Sequence, residues 1–259
     1  MKKTFNFWQI KYIFKNVFFI VFILFCVIAV TNIHGSGVND SISSEDSDSI
    51  SILFVGNSFV YTGDVPKQLQ KLSNLYDIKM TYKDISTGGA TLGSLKNNAV
   101  REMQRKNYDY VVFQDQSRRP LNNYNDFLND VRFLSDVAKS NGAIPVLYNP
   151  AWANINEKPD ESLQNILTEA YKKAAYENSA ILVNAGDAWV YAYKKMPELS
   201  LYASDKFHAN DTGAYFTACV FAATLFNLHI KDIAEDNLYT GDKAIVLGQT
   251  AWEFVCLLP

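Results

Sequence analysis

From Ile52 onward, short apolar runs alternate with longer amphipathic stretches, and this alternation confines the chain to folds built on a parallel sheet with helices on its faces. Residues 52–55, 79–84, 110–114, 144–148 and 180–183 read as five strands. Each is short and mostly β-branched or aromatic, as strands covered on both faces must be. Between them, Asp64 with Pro66 marks a helix start. Residues 124–141 carry Phe127, Leu128, Val131, Leu134, Val137 and Ala138 at helical spacing before Gly142 ends the run. Residues 160–178 repeat the pattern with Leu163, Ile166, Leu167, Ala170 and Ala174 on one face. Asn210 opens a last apolar helix reaching about residue 227, and the tail over 232–259 is expected to pack on the sheet as helix or loop.

The first fifty residues read differently. Lys2, Lys3, Lys11 and Lys15 precede an unbroken apolar run over 17–30, the pattern of a secretory signal, so residues 1–34 are expected to export the chain. No clean small-x-small cleavage site follows, which leaves two outcomes open: removal, or retention as a membrane tether. Residues 35–50 are rich in Ser, Asp and Gly and form a solvated linker. Residues 51–259 then make one domain of ordinary size. Cys26 falls in the apolar run, so only Cys219 and Cys256 belong to the domain, and two cysteines make no disulfide framework. A Cys219–Cys256 bridge is open in an oxidising compartment, but Cys219 lies in an apolar helical stretch that suits a buried thiol. The formal net charge of −3 gives no electrostatic case for a nucleic-acid partner.

In an open parallel sheet, ligands bind outside the carboxyl ends of the strands. The first four strands run into Gly56-Asn57-Ser58, Ser86-Thr87-Gly88-Gly89, Gln114-Asp115-Gln116-Ser117 and Asn149-Pro150-Ala151-Trp152, so these clusters share one rim. Asn184-Ala185-Gly186-Asp187 follows the fifth strand, and Ser204-Asp205-Lys206-Phe207-His208 precedes the last helix. Acyl transfer is the chemistry these side chains suit. A serine hydroxyl is a poor nucleophile until a base takes its proton, and a carboxylate that orients the base completes the set. Of the three histidines, His34 lies before the domain and His229 follows the last helix. His208 alone has a carboxylate three residues before it, where Asp205 can curl back to Nδ1–H and leave Nε2 facing Ser58.

These residues resemble the SGNH/GDSL hydrolase superfamily over most of the chain from Ile52 to about Phe226. The family's strand followed by Gly-Asp-Ser is matched by ILFVGNS, with Asn57 in place of Asp and Ser58 at the nucleophile position. Its oxyanion glycine is similar to Gly88-Gly89, with Gly89 preferred, and its Asp-x-x-His block is present as Asp205 to His208. The Gly-x-Asn-Asp block is absent. VVFQDQS stands there, so Gln114 or Gln116 takes the asparagine's donor role. The resemblance implies a three-layer α/β/α flavodoxin-like domain and a serine esterase with Ser58, His208 and Asp205 as its triad. The N–H groups of Ser58 and Gly89, with a glutamine amide, make its oxyanion hole.

Each residue also has a plainer use. Serine at a strand-to-helix turn is an ordinary N-cap, Asp205 and His208 suit a surface hydrogen bond, and Gly88-Gly89 suits a tight turn. Gln114, Asp115 and Gln116 also suit a buried polar network. Tyr148, Trp189 and Tyr191 are expected in the core, which leaves Trp152 as the one aromatic candidate for substrate binding. No second His or Cys approaches ligand spacing around His208, so neither a metal nor a cofactor is expected. The expected substrate is an extracytoplasmic ester, first an O-acetyl group on a carbohydrate. Alternatives are a lipase or thioesterase of the same type, or a catalytically silent carbohydrate-binding or scaffold protein.

Overall fold

The computed structural model describes residues 49–151, 159–230 and 242–258. Five strands, β1 (Ile50–Val55), β2 (Met80–Asp84), β3 (Tyr110–Phe113), β4 (Ile144–Asn149) and β5 (Ile181–Asn184), pair in the order β2-β1-β3-β4-β5. Every pairing is parallel, so the expected five-stranded α/β sheet is present with the strand order of flavodoxin-like folds. β1 begins at Ile50, one residue inside the stretch expected as linker.

Alternation along β1 sorts the helices into two layers. Ile52 and Phe54 point to one face, where Val65, Leu69 and Leu72 of α2 (Val65–Asn74) meet them. That layer also holds α7 (Ala185–Lys195), α8 (Asp211–Phe226) and α9 (Asp242–Leu257). Leu53 and Val55 point to the other face, against α3 (Leu92–Arg105), α5 (Tyr124–Ser140) and α6 (Glu161–Glu177). Two one-turn helices, α1 (Ser58–Tyr61) and α4 (Arg119–Asn122), sit on the carboxyl rim. Trp189 and Tyr148 lie in the core, and Tyr191 packs on Phe254.

One feature departs from expectation. α9 packs on α8 and α7 rather than on the sheet, because α8 is buried along its whole length from Gly213 to Ala223 and needs cover on its outer side too. Cys219 is the buried free thiol that its apolar stretch suits, pushed up to about 12 by burial, and Cys256 is exposed and also free. Asn184 is the last residue of β5, and α7 starts at Ala185 directly after it.

Candidate active site

β1 ends at Val55, and the chain turns sharply through Gly56 into α1. A side chain at Gly56 would collide with Val60 at 2.7 Å and with Gln114 Oε1 at 2.9 Å, so glycine is needed for the turn to close. Asn57, not Ser58, caps α1: its Oδ1 accepts from Phe59 N at 3.2 Å. That leaves the Ser58 hydroxyl free to face His208, whose Nε2 lies 2.8 Å from Ser58 Oγ. Asn57 also holds the neighbouring loops. Its Nδ2 donates to Ala90 O at 3.1 Å, and its backbone N–H donates to Gln114 Oε1 at 3.0 Å.

His208 comes from a loop closed at its base by the Tyr202–Ala209 bridge and by Ala203 N donating to His208 O at 2.8 Å. Asn210 locks the loop to α8, donating to Ser200 O and Tyr202 O and accepting from Gly213 N. Within the loop Lys206 adopts φ 57°, which folds the chain back so that Asp205 faces the two residues after it. Asp205 Oδ1 accepts from Phe207 N at 2.9 Å and His208 N at 3.0 Å, and Oδ2 lies 2.7 Å from His208 Nδ1. The imidazole hydrogen bond and these backbone donors hold the Asp205 carboxyl down at about 2. An ionised carboxylate only accepts, so Nδ1 must carry its proton and Nε2 presents a lone pair to the Ser58 hydroxyl. The imidazole is held between Phe59 and Phe207, with ring centroids 5.6 and 4.9 Å away.

The second loop continues the β1 pairing, with Thr87 N donating to Gly56 O at 3.1 Å. It then turns over Gly88-Gly89, closed by Ala90 N donating to Thr87 O at 3.0 Å. Gly89 has φ 66°, which a side-chain-bearing residue rarely adopts, and faces open space. Among the described residues neither the Ser58 nor the Gly89 N–H has a protein acceptor. The start of α3 is different. Leu92 N donates to Asp115 Oδ1 at 3.0 Å and Ser94 N to Thr91 Oγ1 at 3.1 Å, so these helix donors are already used.

The two glutamines separate. Gln114 is fully buried under the Gly56-Asn57 turn, and its amide nitrogen donates to Asp115 O. Gln116 is half-buried, with Nε2 donating to Ser117 Oγ at 3.2 Å and Oε1 accepting from Arg118 N at 2.9 Å. Trp152 lies outside the described residues.

Between the glutamines stands a residue that sequence reading left undecided. Asp115 has a fully buried side chain that accepts from Leu92 N, from Gln116 N at 2.7 Å and from Arg119 Nη1 at 2.8 Å. Arg119 also reaches Asp130 at 2.6 Å, and Lys96 meets the same carboxylate at 2.5 Å. Burial pushes the Asp115 carboxyl upward, against these donors. The cluster is formally neutral and clamps the start of α3 to the loop after β3. Its signal in the sequence is an Asp two residues after an apolar strand with an Arg four residues on. Replacing Asp115 with alanine orphans two backbone N–H groups and leaves Arg119 underpaired, a change expected to cost about 3–5 kcal/mol. In thermal unfolding this is a fall of roughly 6–20 °C for a domain of this size. A shift under about 2 °C would mean the clamp contributes little.

No family model and no curated protein matches this sequence. Solved structures do. A protein of Slackia heliotrinireducens whose description places it among SGNH hydrolases is 24% identical, covering 68% of this chain and 99% of its own, with a TM-score of 0.58. A DUF4886 family protein from Bacteroides uniformis is 16% identical over 81% of this chain and 96% of its own, with a TM-score of 0.68. A variant of an acetyl-xylooligosaccharide esterase from Geobacillus is 17% identical over 68% and 93%, with a TM-score of 0.55. At these identities the likeness speaks for architecture, and together with the sheet order it shows that this chain has the fold of the SGNH hydrolases.

Proposed function

We propose that this chain is an SGNH-type hydrolase that cleaves a carboxylic ester through a serine acyl-enzyme. The observation that carries the reading is the His208 ring, spanning 2.8 Å to Ser58 Oγ and 2.7 Å to Asp205 Oδ2 from a loop 150 residues away from the serine. In this mechanism Ser58 Oγ attacks the ester carbonyl as its proton passes to His208 Nε2. The unengaged N–H groups of Ser58 and Gly89 receive the charge that develops on the carbonyl oxygen. The carbonyl re-forms, the alcohol departs with the proton from His208, and a water activated by the same nitrogen releases the acid. Asp205 stays ionised throughout and stabilises the imidazolium.

Labelling with a fluorophosphonate probe, followed by peptide mapping, tests this reading. An activated Ser58 forms a stable adduct. Absence of label on folded protein points instead to a silent protein of the same fold. The substrate we favour is an O-acetyl group on a carbohydrate, which is what the printed name of the Geobacillus protein describes for that enzyme. We also propose that residues 1–34 export the chain, as a cleaved signal or a tether.

For the third oxyanion donor the reading assigns Gln116, because Gln114 is fully buried under the Gly56-Asn57 turn, whereas Gln116 is half-buried and its Nε2 carries a second hydrogen beyond the one given to Ser117 Oγ. Gln116→Ala is then expected to lower turnover about 10²-fold to 10³-fold with the Michaelis constant nearly unchanged. Gln114→Ala orphans the buried Asn57 N–H and should lower stability by about 1–3 kcal/mol. If Gln116→Ala keeps near wild-type turnover, backbone donors alone form the hole.

A further inference from the structure

The turn between α1 and α2 and the first turn of α8 border a cavity of about 550 Å³, lined in part by Tyr61, Asp64, Lys67, Gln68, Lys71 and Asp211. This lies within the range of ligand clefts, about 300–1,000 Å³. Its lining is tied to the serine and the histidine from both sides. Tyr61 lies three residues after Ser58 on α1, and Asp211 lies three residues after His208. The Tyr61 hydroxyl also reaches the second loop, since a side chain on Gly88 would come within 2.9 Å of it. On the opposite side Gly63, at φ 73°, allows such close approach of α8 that an added Cβ would lie 2.5 Å from that of Ala214.

The chemistry of the lining narrows the occupant. A fatty acyl chain placed here would strip water from four charged side chains and return no hydrogen bonds. Two lysines offset two carboxylates, so an anion is not selected either. A neutral, hydroxyl-rich ligand fits. Among the described residues the Tyr61 hydroxyl, Lys71 Nζ and the Asp211 carboxylate have no protein partner, and Gln68 Oε1 is buried without one. Asp64 and Lys67 are only loosely paired, at 3.8 Å. Donors and acceptors therefore stand together, and Tyr61, 43% exposed, adds an apolar ring face with a polar tip. We infer that this cavity is the subsite for the sugar that forms the alcohol part of the ester, with Tyr61 as its stacking wall and Lys71 and Asp211 bonding its hydroxyls. The inference rests on the hydrolase reading and adds to it where the non-reacting part of the substrate lies.

Two measurements separate the inference from that reading. In the first, kcat/KM is determined for a partially acetylated xylo-oligosaccharide and for methyl acetate, whose alcohol part is a single carbon with nothing to place in the cavity. Tyr61→Ala and Lys71→Ala are each expected to lower the ratio of sugar ester to small ester at least tenfold, about 1.4 kcal/mol. A ratio within about twofold of wild type in both variants, or a wild-type preference for long-chain acyl esters, overturns the subsite. In the second, the deacetylated oligosaccharide is titrated calorimetrically into the Ser58→Ala protein with and without Lys71→Ala. Weaker binding on loss of Lys71 supports the subsite, and no binding to either protein overturns it. If the wild type hydrolyses neither ester, the hydrolase reading fails, and the calorimetric measurement still decides the sugar site. Lys71 is exposed on α2, so its variant is expected to fold; Asp211→Asn, at the exposed first position of α8, serves as the second polar substitution.

Discussion

Replacing Ser58 with alanine is expected to abolish hydrolysis of a small acetyl ester, with a loss in turnover of about a million-fold, the scale seen when a serine nucleophile is removed from a triad. Folding should be nearly unaffected. Ser58 does not cap α1, a role taken by Asn57, and among the described residues its hydroxyl meets only His208, at 2.8 Å. Loss of one hydroxyl at a half-buried site, with no cap removed, should change stability by no more than about 0.5 kcal/mol. Turnover and thermal unfolding measured on the same preparation therefore separate nucleophile from cap. A cap would give the reverse pattern, with stability falling by about 1 kcal/mol and turnover intact. Residual turnover within about tenfold of wild type, about 1.4 kcal/mol, removes Ser58 from the mechanism.

Asp205→Asn is expected to lower turnover about 10⁴-fold, although the side chain loses only a charge. The reason lies in the loop. Asp205 Oδ1 accepts from two backbone N–H groups, so an asparagine here keeps its oxygen on that side and turns its NH₂ toward His208 Nδ1. A donor facing Nδ1 forces that nitrogen to accept, the imidazole proton moves to Nε2, and Nε2 can no longer take a proton from Ser58. The Asp205 side chain is half exposed, so water replaces part of what an alanine would remove. Asp205→Ala should accordingly be less damaging than Asp205→Asn. Equal loss in both would mean that Asp205 acts through charge alone and not by fixing the tautomer. The carboxyl, held near 2, contributes stability above its unfolded value of about 4 and loses it as pH falls from there toward 2.

The sheet was legible because Ile52, Leu53, Phe54 and Val55 are all fully buried, which leaves no polar position to interrupt the run. α3 was harder to see. Its core side is a narrow stripe of Leu92, Leu95, Ala99 and Met103, diluted by asparagines and charges, and much of its anchoring comes from Asp115 across a gap in sequence. α7 hid behind its first residues, where Asn184 to Asp187 have the composition of a loop while the chain passes from strand to helix with nothing between. In the site, the Asp205–His208 pair follows from local spacing. Its approach to Ser58 depends on the whole sheet and on the Asn210 lock. The glutamines mark the limit of period-two reasoning. Alternation places residues 114 and 116 on one face only while the strand lasts, and here pairing ends with Gln114 N on Val55 O before the chain turns at Gln116.

Asn57 couples the nucleophile turn to the loop beside it. Aspartate is usual at this position in the family this sequence resembles, yet here the side chain must give a hydrogen to Ala90 O while its oxygen serves Phe59 N. An aspartate at 57 would set a carboxylate against that carbonyl, and the loop carrying Gly89 would have to move for it to be tolerated. The two positions are thus epistatic. Asn57→Asp is therefore expected to be harmful by itself and to become neutral only with a changed backbone in the second loop, the non-additive behaviour of residues that share a hydrogen bond. Grafting a second loop from a protein with aspartate at this position is then expected to require residue 57 to travel with it.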